Sequence, residues 1–166
     1  LRAERNNLRS AEHIYRYAPF MEFLAENGFV VVANDHLGHG KTAENEQELC
    51  FFAEKDGWND VVSDMDTLHK LTAAKYPGVP YFLFGHSMGS FLTRTYIIDH
   101  PEGLKGVVIS GTGQNPGAVV AAGKLMAKLE MIDNGPMYHS PTLDKLAFGS
   151  YNKKYDHVRT KLDWLT

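Results

Sequence analysis

Three short runs of apolar residues show no alternation between apolar and polar positions. They span residues 29–33, 81–84 and 105–110. A continuous apolar run of this length, bounded by turn-forming residues, is typical of a strand that is covered on both faces. The sequence therefore predicts three buried strands.

Around these runs, apolar residues recur with the spacing of an α-helix. The segments with this spacing are residues 14–27, 58–76, 90–98 and 118–133. Buried strands that alternate with amphipathic helices are typical of a parallel sheet flanked by helices. We therefore expect an α/β fold.

The strand pattern does not return after the third run. Pro141 and Gly149 interrupt the later segments. We expect a core over residues 1–110 and a helical cap, or lid, over residues 111–166 that lies on the carboxyl edge of the sheet. The last predicted helix has an apolar face that forms either a groove for an acyl chain or a packing surface for the core. The groove residues would be Leu125, Met126 and Leu129.

Composition and charge narrow the classes of function. The 166 residues carry a formal net charge of −3, which does not favour a nucleic-acid partner. Cys50 is the single cysteine, so no internal disulfide can form. The apolar runs are too short to cross a bilayer, and residues 1–7 lack the apolar stretch of a secretion signal. A cytoplasmic location is expected.

One motif lies at a junction between predicted elements. Its sequence is Gly85-His86-Ser87-Met88-Gly89, and it joins the second strand to the helix that follows. A Gly-x-Ser-x-Gly sequence in this context is typical of a nucleophile elbow, a strained turn that exposes the serine hydroxyl. We expect Ser87 to be the nucleophile and the Met88 N–H to be the first oxyanion donor. Both glycines are expected to leave room for the turn.

A glycine-rich loop follows the first predicted strand. Its sequence is Asn34-Asp35-His36-Leu37-Gly38-His39-Gly40, and it lies at a carboxyl end of a strand, where open α/β sheets bind ligands. Two histidines and an aspartate raise the question of a metal site, but no further ligands recur at a metal-binding spacing. We interpret His39 as a side chain that braces the loop. No metal or cofactor is expected.

Three stretches of the chain together resemble a known family. They are residues 11–13 with 16–17, residues 35–40 and residues 85–90. They resemble α/β-hydrolases of the monoacylglycerol lipase and lysophospholipase type, which are grouped with the serine aminopeptidase S33 domain. The resemblance implies a partial α/β-hydrolase fold, in which a parallel sheet of about three strands carries a helical cap and the N-terminal and C-terminal strands are missing.

The same resemblance implies an activity. It is that of a serine hydrolase of carboxylic esters, with a monoacylglycerol or a lysophospholipid as substrate and an acyl-enzyme on Ser87. A peptidase or an acyltransferase uses the same elbow, and these two alternatives stay open. No cofactor is implied, and peripheral membrane contact and homo-oligomer formation remain open.

Two features depart from the pattern of the family. Leu8-Arg9 stands where the family has His-Gly, and Ser10, the next residue, would supply the second oxyanion N–H. The strand that precedes this loop is also missing, and in this fold it separates the strand at 29–33 from the strand at 81–84. Either these two strands pair directly, or residues 1–10 occupy the position between them.

The rest of a catalytic triad is not expected in the chain. In this fold the order is serine, then an acid, then histidine, and the last two follow strands beyond the cap. The candidates after Ser87 all fall in the cap: Asp133, Asp144, Asp156, His139 and His157. We therefore expect a truncated form with weak or no activity. The alternative is a non-catalytic hydrolase-fold module that binds a lipid or a protein partner.

Overall fold

The computed structural model describes residues 14–149 of the chain. Its helices and strands are α1 (Ala18–Glu26), α2 (Gly57–Lys75), β1 (Tyr81–His86), α3 (Met88–Asp99), β2 (Leu104–Ser110), α4 (Gly117–Asn134) and α5 (Pro141–Phe148). Short 3-10 turns occur at Ile14–Tyr17, Gly40–Thr42 and Glu46–Glu48. The four helices predicted from apolar spacing are confirmed as α1 to α4. None of the helices described is both long enough and apolar enough to span a membrane.

β1 and β2 form a two-stranded parallel sheet. The register pairs Tyr81 with Leu104 and His86 with Ser110, with one irregularity directly after Tyr81. α3 connects the two strands and packs on β1. A parallel pair requires such a crossover, because the chain must return to the end of the sheet where it started. The α/β fold is therefore confirmed, with two strands in the described residues where three were expected.

The strand predicted at residues 29–33 is not formed. Residues 29–36 belong to no helix or strand, and the sheet in the described part of the chain consists of β1 and β2. Phe29 and Val30 are exposed, so the expectation that this segment is covered on both faces is also wrong. A strand requires a neighbour that satisfies its N–H and C=O groups. This segment does not pair with β1, and residues 1–10 lie outside the described residues.

The core of this region lies between α2, α3 and the sheet. Val61 and Val62 of α2 contact Leu92 and Tyr96 of α3, and all four side chains are buried. Partly buried apolar side chains extend this cluster, among them Phe52, Leu83 and Leu104. Burial of an aliphatic side chain contributes about 1.5–3 kcal/mol. This packing fixes the position of α3, the helix that begins at the Gly-x-Ser-x-Gly motif.

A buried polar contact joins α2 to the last turns of α3. The Tyr96 hydroxyl lies 2.7 Å from His69 Nδ1 and 3.4 Å from a carboxylate oxygen of Asp66. Burial, together with the charge of Asp66, raises the pKa of Tyr96 to about 12, so the hydroxyl keeps its proton at neutral pH. The His69 ring also lies against Tyr81 of β1, with 4.1 Å between the ring centroids. The contact therefore links both helices to the sheet.

Tyr96→Phe is expected to lower the free energy of unfolding by about 1–3 kcal/mol, because the buried His69 Nδ1 loses its partner. Urea denaturation followed by circular dichroism measures the change. Tyr138→Phe removes an exposed hydroxyl and is the matched control, with an expected change below about 0.5 kcal/mol. Equal stability of the two variants would mean that the buried contact contributes no net free energy.

The chain divides into two compact units between Gly113 and Gln114. In the second unit, α4 ends at Asn134 and is followed by Gly135, whose φ of 93° is readily adopted only by glycine. The domains expected at 1–110 and 111–166 include residues outside the described range, and their boundary stays a prediction.

The residues predicted to form an acyl groove lie on α4. Leu125 and Leu129 are 60% and 56% exposed, and Met126 is half-buried. A cavity of about 170 Å³ within the second unit is lined by other side chains, among them Ala127, Met131 and Leu143. The acyl groove therefore stays a prediction.

Candidate active site

Ser87 lies at the junction between β1 and α3. β1 ends at His86 and α3 begins at Met88, so Ser87 is the one residue that turns the chain from the strand into the helix. Its φ of 52° and ψ of −119° lie outside the regions that L-amino acids normally adopt. The side chain is exposed. The strained turn and the exposed serine that the motif predicts are therefore present.

Hydrogen bonds hold the peptide groups on both sides of Ser87. Its N–H donates to the carbonyl oxygen of Ser110, at the end of β2, over 3.0 Å. Its carbonyl oxygen accepts from the Ser90 N–H at 3.0 Å and from the Ser90 hydroxyl at 2.5 Å. A backbone conformation that costs about 1–3 kcal/mol persists only where the surrounding structure determines it. Ser90 and Ser110 make the contacts that do so here.

The two glycines of the motif have different surroundings. A Cβ at Gly85 would overlap Thr93 Oγ1 and lie 2.5 Å from the carbonyl oxygen of Gly89. A Cβ at Gly89 would have no atom within 4 Å among the described residues, apart from its chain neighbours and the backbone of α3. Gly85 therefore allows β1 and α3 to approach each other closely, as expected. The expectation that Gly89 is also required for space is wrong, because its missing side chain would point into open space.

His86 precedes Ser87 and is held by the end of β2. Its Nδ1 lies 3.1 Å from the Ser110 hydroxyl. Gly111 has a φ of 58°, and a Cβ at this position would approach His86 Cε1 to 2.9 Å. The ring of Tyr17 meets the His86 ring edge-on, with 6.3 Å between the centroids. These contacts fix the imidazole directly before the turn.

The roles of Ser90 and Ser110 were not anticipated from the sequence. A weak signal existed for Ser90, because serine near a helix start tends to bond back to a carbonyl three residues earlier. Ser110 ends a predicted strand, but its position opposite His86 depends on the register of β1 and β2. The register of two strands buried in a sheet is not fixed by either strand alone.

The start of α3 presents free backbone N–H groups next to Ser87. The first N–H groups of a helix have no acceptor within the helix, and the helix dipole adds positive potential there. The Met88 N–H is the first of them and belongs to the peptide group directly after Ser87. Such donors stabilise a negative oxygen that forms beside the serine. Ser10, the second expected donor, lies outside the described residues.

Within residues 14–149, no side chain forms a hydrogen bond with the Ser87 hydroxyl. Asp133, Asp144 and His139 belong to the second unit, whereas Asp156 and His157 lie outside the described residues. A serine hydroxyl is a weak nucleophile unless a base takes its proton. The contacts described for Ser87 therefore identify no general base.

The glycine-rich loop at residues 34–40 folds around Asp35. The Asp35 carboxylate accepts hydrogen bonds from the N–H of Ile14 at 2.9 Å and from the N–H of Lys41 at 3.1 Å. Gly40 makes this arrangement possible, because a Cβ at its φ of 54° would overlap the Asp35 carboxylate. Asp35 therefore ties the 3-10 turn that carries Tyr17 to this loop.

The histidines of this loop have different environments. His39 is buried, and its Nδ1 contacts the Leu37 carbonyl oxygen at 2.9 Å. A hydrogen bond with the Cys50 side chain raises the pKa of His39, whereas burial lowers the pKa of His36. The contacts of His39 are those of a side chain that braces its loop. In residues 14–149, no three His, Cys, Asp or Glu side chains are grouped to bind a metal ion.

A strand, a strained serine turn, a helix and a second parallel strand are the elements that surround the nucleophile of an α/β-hydrolase. A solved structure supports this class. The thermostable carboxyl esterase from Bacillus coagulans, crystallised in complex with glycerol, matches with a TM-score of 0.78 and 31% sequence identity. The match covers 93% of this chain and 49% of the esterase chain. The chain therefore has a partial α/β-hydrolase fold.

The sequence also places the chain in a family. Residues 9–146 match the family described as serine aminopeptidase, S33, and the chain belongs to this family. A monoglyceride lipase homolog of Monkeypox virus is 30% identical over 149 residues, which are 90% of this chain and 50% of the viral protein. The monoacylglycerol lipase of Mycolicibacterium smegmatis is 31% identical over 124 residues, 72% of this chain and 42% of that lipase. The chain thus spans about half the length of these relatives, and the resemblance drawn from its motifs is confirmed.

Proposed function

We propose that the protein is a serine hydrolase of carboxylic esters in which Ser87 is the nucleophile. The observation that carries this proposal is the geometry of Ser87, an exposed serine held at φ 52° and ψ −119° between β1 and α3. A hydroxyl at such a corner, beside free helix N–H groups, is suited to attack a carbonyl carbon. The names of the relatives, lipases and an esterase, support an ester as the substrate.

The reaction proceeds in two steps. Ser87 Oγ attacks the ester carbonyl carbon while a general base takes its proton; the bond to the alcohol oxygen then breaks, and the alcohol leaves with that proton. Water hydrolyses the resulting acyl-enzyme to the free acid. In both steps the N–H groups of Met88 and Ser10 donate hydrogen bonds to the oxyanion. The proposal requires a base that the described contacts of Ser87 do not supply.

We infer a monoacylglycerol or a lysophospholipid as the substrate. One of the relatives is named a monoglyceride lipase homolog and another a monoacylglycerol lipase, and both names refer to the same class of lipid. The apolar side chains of α4 suit a single acyl chain, because large parts of Leu125 and Leu129 are open to a ligand beside the flexible Met126. An esterase, a peptidase and an acyltransferase differ in the acyl donor and the acyl acceptor that they use. Competition between candidate substrates therefore distinguishes these three activities.

Labelling with a fluorophosphonate probe tests the proposed nucleophile, because these probes react with activated serines. The expected result is one adduct, located by mass spectrometry on the peptide that contains Ser87, and slower labelling when a monoacylglycerol competes. Ser63→Ala removes an exposed hydroxyl from α2 and is expected to label at the unsubstituted rate. An adduct on another residue, or no adduct in a sample with a folded circular dichroism spectrum, would refute the proposal for this chain.

The second candidate is a non-catalytic module that binds a lipid through the same fold. One observation favours it: in residues 14–149, the Ser87 hydroxyl has no hydrogen bond to a side chain that would act as its base. Under this alternative, the folded protein retains a fluorescent monoacylglycerol and does not react with the probe.

A further inference from the structure

We propose that Ser90 is a positioning residue for the oxyanion donor. Its hydroxyl holds the peptide group between Ser87 and Met88 in the orientation that presents the Met88 N–H beside the nucleophile. The catalytic part of this inference rests on the proposed function of Ser87. The structural part concerns one peptide orientation and is independent of any activity.

The argument begins with the geometry of a peptide group. The Ser87 carbonyl and the Met88 N–H belong to the same planar unit, and in a trans peptide they point in opposite directions. Whatever fixes the direction of the carbonyl therefore fixes the direction of the N–H. A rotation of this plane would swing both groups together and turn the N–H away from the oxyanion.

Ser90 fixes that carbonyl with two donors. The Ser90 hydroxyl donates to the Ser87 carbonyl oxygen at 2.5 Å, and the Ser90 N–H donates to the same oxygen at 3.0 Å. The side chain has no exposed surface (0%), so water does not replace the hydroxyl easily. Because a φ of 52° combined with a ψ of −119° is unfavourable for an L-residue, a rotated orientation of this peptide group competes with the observed one unless hydrogen bonds hold it.

The peptide orientation is measured by NMR without any need for activity. The chain contains six methionines, so labelling with 15N-methionine gives few signals, and Met88→Leu assigns the Met88 amide. In the unsubstituted protein we expect a rigid amide, with an order parameter of about 0.85, and in Ser90→Ala a value that falls to about 0.6. Ser63→Ala is the matched control and is expected to leave the Met88 amide rigid. An unchanged order parameter in folded Ser90→Ala would refute the inference.

Two further variants separate positioning from simple packing. Ser90→Thr keeps the hydroxyl donor and is expected to restore the rigid amide. Ser90→Cys keeps the volume with a weaker donor and is expected to give an intermediate order parameter. Because Ser90→Cys preserves packing, it tests the inference even where Ser90→Ala does not fold. An equal order parameter of the Met88 amide in Ser90→Cys and in the unsubstituted protein would contradict the inference that the Ser90 hydroxyl positions this peptide group.

Catalysis gives the second measurement. Removal of an oxyanion donor costs about 10²–10³-fold in kcat, so a donor that is only loosened should cost about tenfold. We expect Ser90→Ala to lower kcat and the rate of fluorophosphonate labelling by about tenfold, with KM unchanged. If the unsubstituted protein reacts and Ser90→Ala reacts equally fast, the inference fails and the proposed function stands. If the unsubstituted protein does not react, the proposed function fails, and the NMR measurement still decides the inference.

Discussion

Under the proposed function, Ser87→Ala is expected to lower the kcat for monoacylglycerol hydrolysis by at least about 10⁴-fold, the loss typical when the nucleophile of a serine hydrolase is removed. The neighbouring serines are not expected to replace Ser87 as the nucleophile. The Ser90 hydroxyl donates to a backbone carbonyl oxygen, and the Ser110 hydroxyl contacts His86. The substitution removes one oxygen atom from an exposed position, so the fold should persist. Release of fatty acid, followed by a coupled assay, measures the change.

Ser63→Ala is the control for this loss, because it also removes one exposed hydroxyl but lies on α2. Its kcat should equal that of the unsubstituted protein. Circular dichroism and the thermal midpoint of both variants show whether any loss comes from unfolding. A folded Ser87→Ala protein that retained more than a tenth of the rate would assign the chemistry to another residue.

Gly85→Ala is expected to lower the free energy of unfolding by about 3 kcal/mol or more. The added Cβ would overlap Thr93 Oγ1 and lie 2.5 Å from the Gly89 carbonyl oxygen, and the second of these atoms belongs to the backbone. Overpacking of a tight site commonly costs about 1–3 kcal/mol, and backbone atoms yield less than flexible side chains do. Because β1 and α3 must separate to admit the methyl group, the turn at Ser87 should lose its geometry as well.

Gly89→Ala is the matched substitution with the opposite expectation. In residues 14–149, a Cβ at Gly89 meets no atom within 4 Å beyond its chain neighbours and the backbone of α3, and alanine in a helix is favoured over glycine by up to about 1 kcal/mol. Urea denaturation of both variants gives the stability difference, and fluorophosphonate labelling reports the state of the turn. Similar losses of stability in the two variants would contradict the assigned packing of β1 against α3.

The elements around Ser87 could be predicted from the sequence because their signals are local and agree. The apolar run at 81–84, the helical spacing at 90–98 and Gly85 all indicate one corner, and β1, Ser87 and α3 form that corner. Consistency between neighbouring signals of this kind makes a prediction dependable.

Residues 29–33 show the limit of a local pattern. Their β-branched side chains favour a strand, but a strand also needs a partner on at least one side, and the pattern of a segment does not contain its partner. For the same reason the contacts of Ser110 could not be foreseen. They depend on the register between β1 and β2, whereas the apolar spacing of each strand is compatible with several registers.

The unit formed by β1, α3 and β2 brings together partners that are close in sequence. Ser90 is three residues from Ser87, and Ser110 is separated from His86 by 24 residues. Contacts of these sequence separations cost less loop-closure entropy than contacts between more distant parts of the chain, which favours their earlier formation. The strained serine is therefore expected to be in place once this crossover closes, before contacts of larger sequence separation form. The acid and the histidine of a catalytic triad would then assemble around a serine that is already positioned.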